Sequence, residues 1–327
     1  MTRAMSTDNP FHTPASDLRP PLALIAGPTA SGKSDYALAL AGALRARGHH
    51  PVILNADSAQ LYADLPVLSA APSPADMADT PHRLYGAWDG ATSCSAADWA
   101  ERARGEIAQA HGRGQTPILV GGTGLYIRTL LDGIAPVPPI DPAVREAVRA
   151  LPVAQAHATL ARLDPERAAA LHPNDTTRIA RALEVVRSTG EALAHWQERK
   201  AGGIGAAVTL HPLILLPDRA WLYERCDRRF ALMIERGAVA EVEALLARGL
   251  GADLPVMRAI GVAEIAGYLS GGWSLDEAVT RGAQATRNYA KRQYTWLRHQ
   301  PPADWARMTA GFDESIDVRS YFDVLLR

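Results

Sequence analysis

Apolar and polar positions begin to alternate in an ordered way at Pro21. Residues 22–26 form a short apolar run that predicts a buried strand, 35–47 an Ala- and Leu-rich helix, and 52–54 a second strand. Another cycle follows, with a helix over 97–111, a strand over 118–120 and a helix over 124–131. Repeated strand–helix–strand units predict a parallel sheet with helices on its faces. Beyond the proline-rich stretch 135–142 the strand pattern stops, and 143–199 reads as several short helices broken at Pro152, Pro165, Pro173 and Gly190. Residues 208–216 supply one more strand able to rejoin the sheet. Helices then follow over 218–236, 239–248 and 262–269, and a long one opens at Ser274, where Ser274 and Glu277 have capping-box spacing. Residues 1–19 carry no apolar periodicity and read as a disordered leader. The expected organisation is a leader (1–20), an α/β core (21–138 and 207–327) and an all-helical insertion (139–206).

Composition narrows the class. At 327 residues the chain is long enough for about two domains. With 47% hydrophobic and 21% charged residues it can bury a sizeable core, which excludes wholesale disorder. The longest apolar stretches, such as 213–217, are far too short to span a bilayer, and no charged-then-apolar signal opens the chain, so a cytoplasmic protein without membrane contact is expected. Cys94 and Cys226 lack metal-ligand or paired spacing and read as inert thiols. A net charge of −1 does not by itself advertise a nucleic-acid partner. The basic residues are nearly all arginine; only Lys33, Lys200 and Lys291 are lysines, which makes Lys33 informative.

Lys33 sits in Gly27-Pro28-Thr29-Ala30-Ser31-Gly32-Lys33-Ser34, which fits GxxxxGK[ST] at every fixed position between an apolar strand and a helix. In such a loop the backbone N–H groups turn inward, the helix N-terminus adds positive potential, the lysine neutralises phosphate charge and the hydroxyl is offered to Mg²⁺. A plain glycine-rich turn needs neither the lysine nor the hydroxyl. The fold class expected is therefore a P-loop NTPase-like parallel sheet flanked by helices. An ordinary nucleotide hydrolase would carry a second, strand-borne carboxylate for Mg²⁺. The strand over 118–120 runs into Gly121-Gly122-Thr123 without one, and Asp57, just past the strand over 52–54, is the lone candidate. Ends of neighbouring parallel strands converge on bound ligand, so Asp57 and Thr123 should meet there. A simple helix cap is the other reading of Asp57.

Two basic features remain. Between Ala278 and Ala303 there is no acidic residue, and Arg287, Lys291, Tyr294 and Arg298 share one helical stripe able to face phosphates or, equally, solvent. In the insertion, Ile179, Leu183 and Val186 mark a buried helix face, leaving Arg178 and Arg181 on another side.

Together these residues resemble the tRNA dimethylallyltransferase family, also called tRNA isopentenyltransferases. The resemblance is carried by the loop 27–34, Asp57-Ser58-Ala59-Gln60-Leu61-Tyr62, Pro81-His82-Arg83-Leu84, Ser95-Ala96-Ala97-Asp98, and Val120-Gly121-Gly122-Thr123-Gly124-Leu125-Tyr126. It continues through His172-Pro173-Asn174-Asp175, Arg181-Ala182-Leu183-Glu184-Val185, and Lys291-Arg292-Gln293-Tyr294-Thr295-Trp296-Leu297-Arg298. It implies transfer of a dimethylallyl group from its diphosphate to the exocyclic amine of the adenosine 3′ of the anticodon. The loop would then hold diphosphate rather than ATP, which accounts for the missing second carboxylate.

By the same resemblance Asp57 is the catalytic base and Thr123 its companion, Arg225 and Arg229 join the loop on the diphosphate, and Mg²⁺ sits near Ser34. Contacts to the tRNA anticodon stem-loop fall on Asp57, Ser58, Ala59 and Gln60, on Thr123 and Arg145, and on Thr177, Arg178, Ile179, Ala180 and Arg181. They continue on Arg258, Ala259, Ile260, Gly261, Val262 and Ala263. A monomer is expected. The chain departs from the family pattern at Leu68-Ser69-Ala70-Ala71-Pro72, where Ala71 replaces a usual lysine, and at Val262, where an aromatic is usual. A prenyltransferase acting on free adenine nucleotides would share the loop and Asp57 but not need Arg178 and Arg181. A P-loop small-molecule kinase would leave the insertion and the basic helix without a role.

Overall fold

The computed structural model describes residues 19–311 and 318–326. The leader expected over 1–20 therefore lies, except for its last two residues, outside the described residues. Six parallel strands form one sheet: β1 (Pro21–Ala26), β2 (His50–Asn55), β3 (His82–Arg83), β4 (Gln115–Gly121), β5 (Thr209–Leu215) and β6 (Ala306–Met308), in the order β3-β2-β4-β1-β5-β6. β1 is central, pairing Ala26 with Gly121 of β4 and with Ile214 of β5. The helices are α1 (Lys33–Arg45), α2 (Pro74–Ala78), α3 (Ala96–Gly112), α4 (Gly124–Asp132), α5 (Pro142–Arg149), α6 (Val153–Leu163), α7 (Pro165–Ala170) and α8 (Thr176–Thr189). They continue as α9 (Leu193–Glu198), α10 (Arg219–Glu235), α11 (Ala238–Ala247), α12 (Val262–Leu269), α13 (Leu275–His299) and α14 (Arg319–Phe322).

The sheet is buried on both faces, which is why its strands read as continuous apolar runs. On one face Ala23, Ile25, Ile53, Ile118 and Leu213 meet Tyr36, Leu40 and Leu44 of α1 and Phe322 of α14. On the other, Leu22, Leu24, Leu54 and Leu119 meet Trp99 and Ile107 of α3, Ile127 and Leu130 of α4, and helices α10 to α13. Trp99 ties three elements together: its ring stacks on Tyr126 at 4.6 Å and its Nε1 donates to the Asn55 carbonyl at 3.0 Å. Capping boxes start α3 (Ser95 with Asp98) and α13 (Ser274 with Glu277), each worth about 1 kcal/mol.

Helices α5 to α9 bury a cluster of their own around Leu160, Ile179, Leu183 and Val186, with a smaller one at Ile140, Val185 and Leu193. This stretch leaves and returns through a narrow neck. Ile134 and Ala201 exchange both backbone hydrogen bonds at 3.0 Å, and a Cβ on Gly133 would lie 2.4 Å from the Ala201 carbonyl oxygen, so only glycine fits there. The four breaks read from the sequence, at Pro152, Pro165, Pro173 and Gly190, each fall where one helix of this stretch gives way to the next. The sequence pattern misses α2, both edge strands β3 and β6, and the C-terminal turn over 319–326. No helix among the described residues is long and apolar enough to cross a membrane.

Candidate active site

β1 runs straight into the phosphate loop. The backbone takes the left-handed conformation at Ala30 (φ 64°) and Gly32 (φ 89°), which curls the chain and lets Gly32 open α1. Three contacts pin the loop from outside. The Gly27 N–H donates to the Gly121 carbonyl at 3.1 Å, Arg225 Nε donates to the Ala30 carbonyl at 3.0 Å, and the Thr29 N–H donates to Oε1 of the buried Gln293 at 2.7 Å. Gln293 fits only because Gly122 is beside it: a Cβ there would lie 2.4 Å from Gln293 Nε2.

At the next strand end, Asn55 shapes the turn. Its Nδ2 donates to the carbonyls of Asp57 (3.0 Å) and Leu84 (3.1 Å), and its Oδ1 accepts from the Asp57 N–H at 2.8 Å. Asp57 then caps a 3₁₀ turn over Ser58–Gln60, accepting from the Ala59 N–H with Oδ1 (3.2 Å), while Oδ2 faces Lys33 Nζ at 3.5 Å. The cap expected of Asp57 is thus made by Oδ1, which leaves Oδ2 to the phosphate-loop lysine. Both side chains are buried. Burial pushes the Lys33 pKa below its ordinary value, Asp57 acts against that shift, and Arg229 adds to it. Thr123 follows β4: its Oγ1 accepts from the Ser58 N–H at 2.9 Å and donates to Ser58 Oγ at 3.2 Å, fixing it beside Asp57.

Two cavities meet at this point. One, of about 790 Å³, lies over Ala30 to Asp35 and is walled by Arg225, Arg228, Arg229 and Arg236. The other, of about 280 Å³, is lined by Asp57, Ser58 and Thr29, by apolar Leu65, Leu68, Phe230 and Met233, and by Tyr62, Cys94, Tyr126 and Tyr289. Arg229 and Met233 border both. So does the loop 65–72, with Leu65, Leu68 and Ser69 on the small side and Pro66, Val67, Ala70 and Ala71 on the large side. Glu241 holds that loop by accepting from the N–H groups of Val67 and Leu68, both at 2.8 Å. Gln60 holds its other end by donating to the carbonyls of Ser69 (3.2 Å) and Ala70 (2.6 Å). A phosphate group on the loop and an apolar or planar group in the small cavity therefore approach each other at Asp57.

Burial pushes the Tyr289 phenol above its usual range, the Asp57 charge adds to the shift, and the neighbouring Thr123 and Ser58 hydroxyls act against it. Both cysteines carry thiols pushed up to about 11, chiefly by burial, in keeping with inert groups. Among the described residues no group of three His, Cys, Asp or Glu is arranged around a metal. Ser34 is exposed to the large cavity, which Asp35 and Asp76 also line.

The residues expected to touch RNA fall into three groups. Arg258, Ala259 and Ile260 line the small cavity. Gly261 (φ 97°) opens α12 against Leu68, and Ala263 is exposed, whereas Val262 is 2% exposed and packs in the main core. In the insertion Arg145, Thr177, Arg178 and Arg181 are exposed and Ala180 is partly so, but the Ile179 side chain is wholly buried. Gln60 is buried, its amide spent on the loop 65–72.

One expectation needs correction. The stripe from Arg287 to Arg298 is not uniformly uncompensated, because Arg287 pairs with Asp227 of α10 and Tyr294 is half-buried, its ring 4.9 Å from the Arg219 guanidinium. Sequence reasoning gave no role to Gln293, Tyr289, Glu241 or Glu184. Gln293 had a signal: it is polar on the stripe carrying Ala290 and Leu297.

The family model described as IPP transferase matches residues 60–300. The chain is 64% identical over 290 residues to the tRNA dimethylallyltransferase of Erythrobacter litoralis, covering 89% of this chain and 92% of that one. It is 67% identical over 271 residues to the tRNA dimethylallyltransferase of Novosphingobium aromaticivorans, covering 83% and 96%. Among solved structures, a tRNA isopentenylpyrophosphate transferase from Bacillus halodurans is similar with TM-score 0.67 and 31% identity, over 94% of this chain and 96% of that one. A eukaryotic dimethylallyltransferase acting on tRNA is similar with TM-score 0.72 and 26% identity, over 85% and 70%.

Proposed function

The chain belongs to the IPP transferase family, and from that premise we propose that it transfers a dimethylallyl group from dimethylallyl diphosphate to the exocyclic amine of the adenosine 3′ of the anticodon in tRNA. The observation that carries this reading is the carboxylate of Asp57, which lines the small cavity and faces Lys33, a lining residue of the large one, at 3.5 Å. The large cavity takes the diphosphate, on the N–H groups of Gly32, Lys33 and Ser34 at the start of α1, with the Lys33, Arg225 and Arg229 side chains as counter-charges. The small cavity takes the dimethylallyl chain against Leu65, Leu68, Phe230 and Met233, together with the adenine. The target base leaves its stack to enter that cavity, as any enzyme acting on a base edge requires.

As the amine nitrogen attacks the allylic carbon, the carbon–oxygen bond to diphosphate breaks and the nitrogen becomes positive. Asp57 accepts the amine proton, and Thr123, held by Ser58, keeps the attacking edge in line. Charge developing on the leaving diphosphate is stabilised by Lys33 and the loop N–H groups. The Ser34 hydroxyl beside Asp35 and Asp76 is a hard oxygen set that fits Mg²⁺, which keeps most of its shell as water and phosphate oxygens. When bound, Mg²⁺ neutralises diphosphate charge. The arginines of the insertion, Arg145, Arg178 and Arg181, grip the RNA outside the cavity.

The test is transfer of label from dimethylallyl diphosphate, with Mg²⁺, to an unmodified anticodon stem-loop. Label found only on free adenine nucleotides, or RNA-stimulated ATP turnover without prenyl transfer, overturns the reading.

A further inference from the structure

The insertion contains a carboxylate that no catalytic step uses. Glu184 of α8 is 2% exposed, yet three guanidiniums from two helices converge on it: Arg149 Nε at 3.0 Å, Arg145 Nε at 4.0 Å and Arg181 Nη1 at 4.0 Å. One arginine would neutralise it. Three leave an excess of two positive charges, and these guanidiniums are not buried with their partner: the Arg145, Arg149 and Arg181 side chains are 46%, 66% and 43% exposed. Arg145 and Arg149 stand one turn apart on α5, Arg181 and Glu184 nearly one turn apart on α8, so the carboxylate also staples the two helices. Like-charged side chains do not crowd together unaided; a buried anion beneath them fixes their planes and leaves outward N–H groups free for bidentate contact with phosphate oxygens.

Resting on the reading that the chain acts on tRNA, we propose that Glu184 is a positioning residue that holds Arg145, Arg149 and Arg181 as a preformed clamp for adjacent backbone phosphates of that tRNA. Arg149 is a new member of the RNA surface, and Glu184 acts through the arginines without touching RNA.

The sign of one measurement separates positioning from simple charge balance. As an anion near phosphates, Glu184 opposes RNA binding, so Glu184→Gln would tighten binding if charge alone mattered. If Glu184 positions the arginines, the same change weakens binding, because each released side chain must then be immobilised by the RNA itself. Affinity for an unmodified full-length tRNA transcript that the wild type prenylates is titrated across a salt series, with dimethylallyl diphosphate affinity measured alongside. Expected is about a five- to tenfold weaker tRNA affinity for Glu184→Gln, with diphosphate affinity unchanged because Glu184 lines neither cavity. Equal or tighter tRNA binding overturns the proposal. Should Glu184→Gln fail to fold, Arg149→Lys decides: it keeps the charge and loses the planar fork, so weaker binding supports the clamp and unaltered binding overturns it. A wild type that neither binds nor prenylates tRNA overturns the functional reading and the clamp with it; a wild type that does both, with variants indistinguishable from it, overturns the clamp alone.

Discussion

Lys33 and Asp57 face each other at 3.5 Å, and each is the other's counter-charge in a buried place where neither would be tolerated alone. The pair spans the division of labour in the proposed reaction, since Lys33 belongs to the leaving group and Asp57 to the incoming amine.

Replacing Asp57 by Asn tests both halves. Asn keeps an oxygen for the Ala59 N–H, so the cap survives, but no base remains; kcat falls by about 10²- to 10⁴-fold at saturating substrates. Lys33, already held below its ordinary pKa, loses its partner and is pushed lower still. Lys33 then weighs against the folded state in full at any pH below that lowered value, and the penalty fades only as pH rises from there to the ordinary lysine range. The variant melts below the wild type near neutral pH, and the gap closes as pH rises. Diphosphate, by restoring a counter-charge, raises the variant's Tm more than the wild type's. A near-normal rate would refute Asp57 as base.

Lys33 also makes diphosphate affinity pH-dependent in a stated direction. Because its folded pKa lies below that of an ordinary lysine, affinity for inorganic diphosphate declines with rising pH earlier than a surface lysine would allow. Calorimetry in alkaline buffers of differing ionisation enthalpy registers proton uptake on binding, and Lys33→Ala abolishes it. Proton uptake that persists in Lys33→Ala assigns the step to another group.

Gln293→Leu removes the acceptor of the Thr29 N–H while retaining bulk. Leaving that N–H unpaired costs about 1–3 kcal/mol, seen by denaturant titration, and lets the phosphate loop drift, weakening diphosphate binding. If stability and affinity both hold, the contacts at Gly27 and Ala30 suffice to fix the loop.

Glu241→Ala frees the wall shared by both cavities. Two charge-assisted hydrogen bonds disappear, each worth about 1.5–3 kcal/mol, and amide exchange at Val67 and Leu68 quickens. Since the loop borders both cavities, the KM values for tRNA and for dimethylallyl diphosphate rise together. A rise in only one would place the loop at a single substrate.

What could be read from the chain alone follows from how far each constraint reaches. Strands buried on both faces announce themselves as apolar runs, prolines mark the helix breaks of the insertion, and Ser274 with Glu277 fixes the start of α13. The meeting of Asp57 and Thr123 was legible because parallel strands deliver their C-terminal ends to one edge. β3 and β6 have two and three residues, too few to show any period. The pairing of Arg287 with Asp227 was hidden because its partner lies 60 residues away on another helix, beyond the reach of a stripe drawn on one element. Nothing along α8 alone marks Glu184 as an anchor for arginines, because two of its three partners lie on α5.

The neck at Ile134 and Ala201 has a topological consequence. Because the chain departs and returns through two touching segments, the sheet sees residues 135–200 as a single long excursion whose ends already coincide. Its register carries no information about what hangs from that closure. A core joined from Gly133 to Gly202 by a short linker is expected to fold and to retain diphosphate affinity, which calorimetry on that chain would check; loss of binding would mean that the helices beyond the neck brace the sheet. On this architecture the sheet-borne cavities and the helices beyond the neck are separable in inheritance, free to diverge at different rates while sharing one polypeptide.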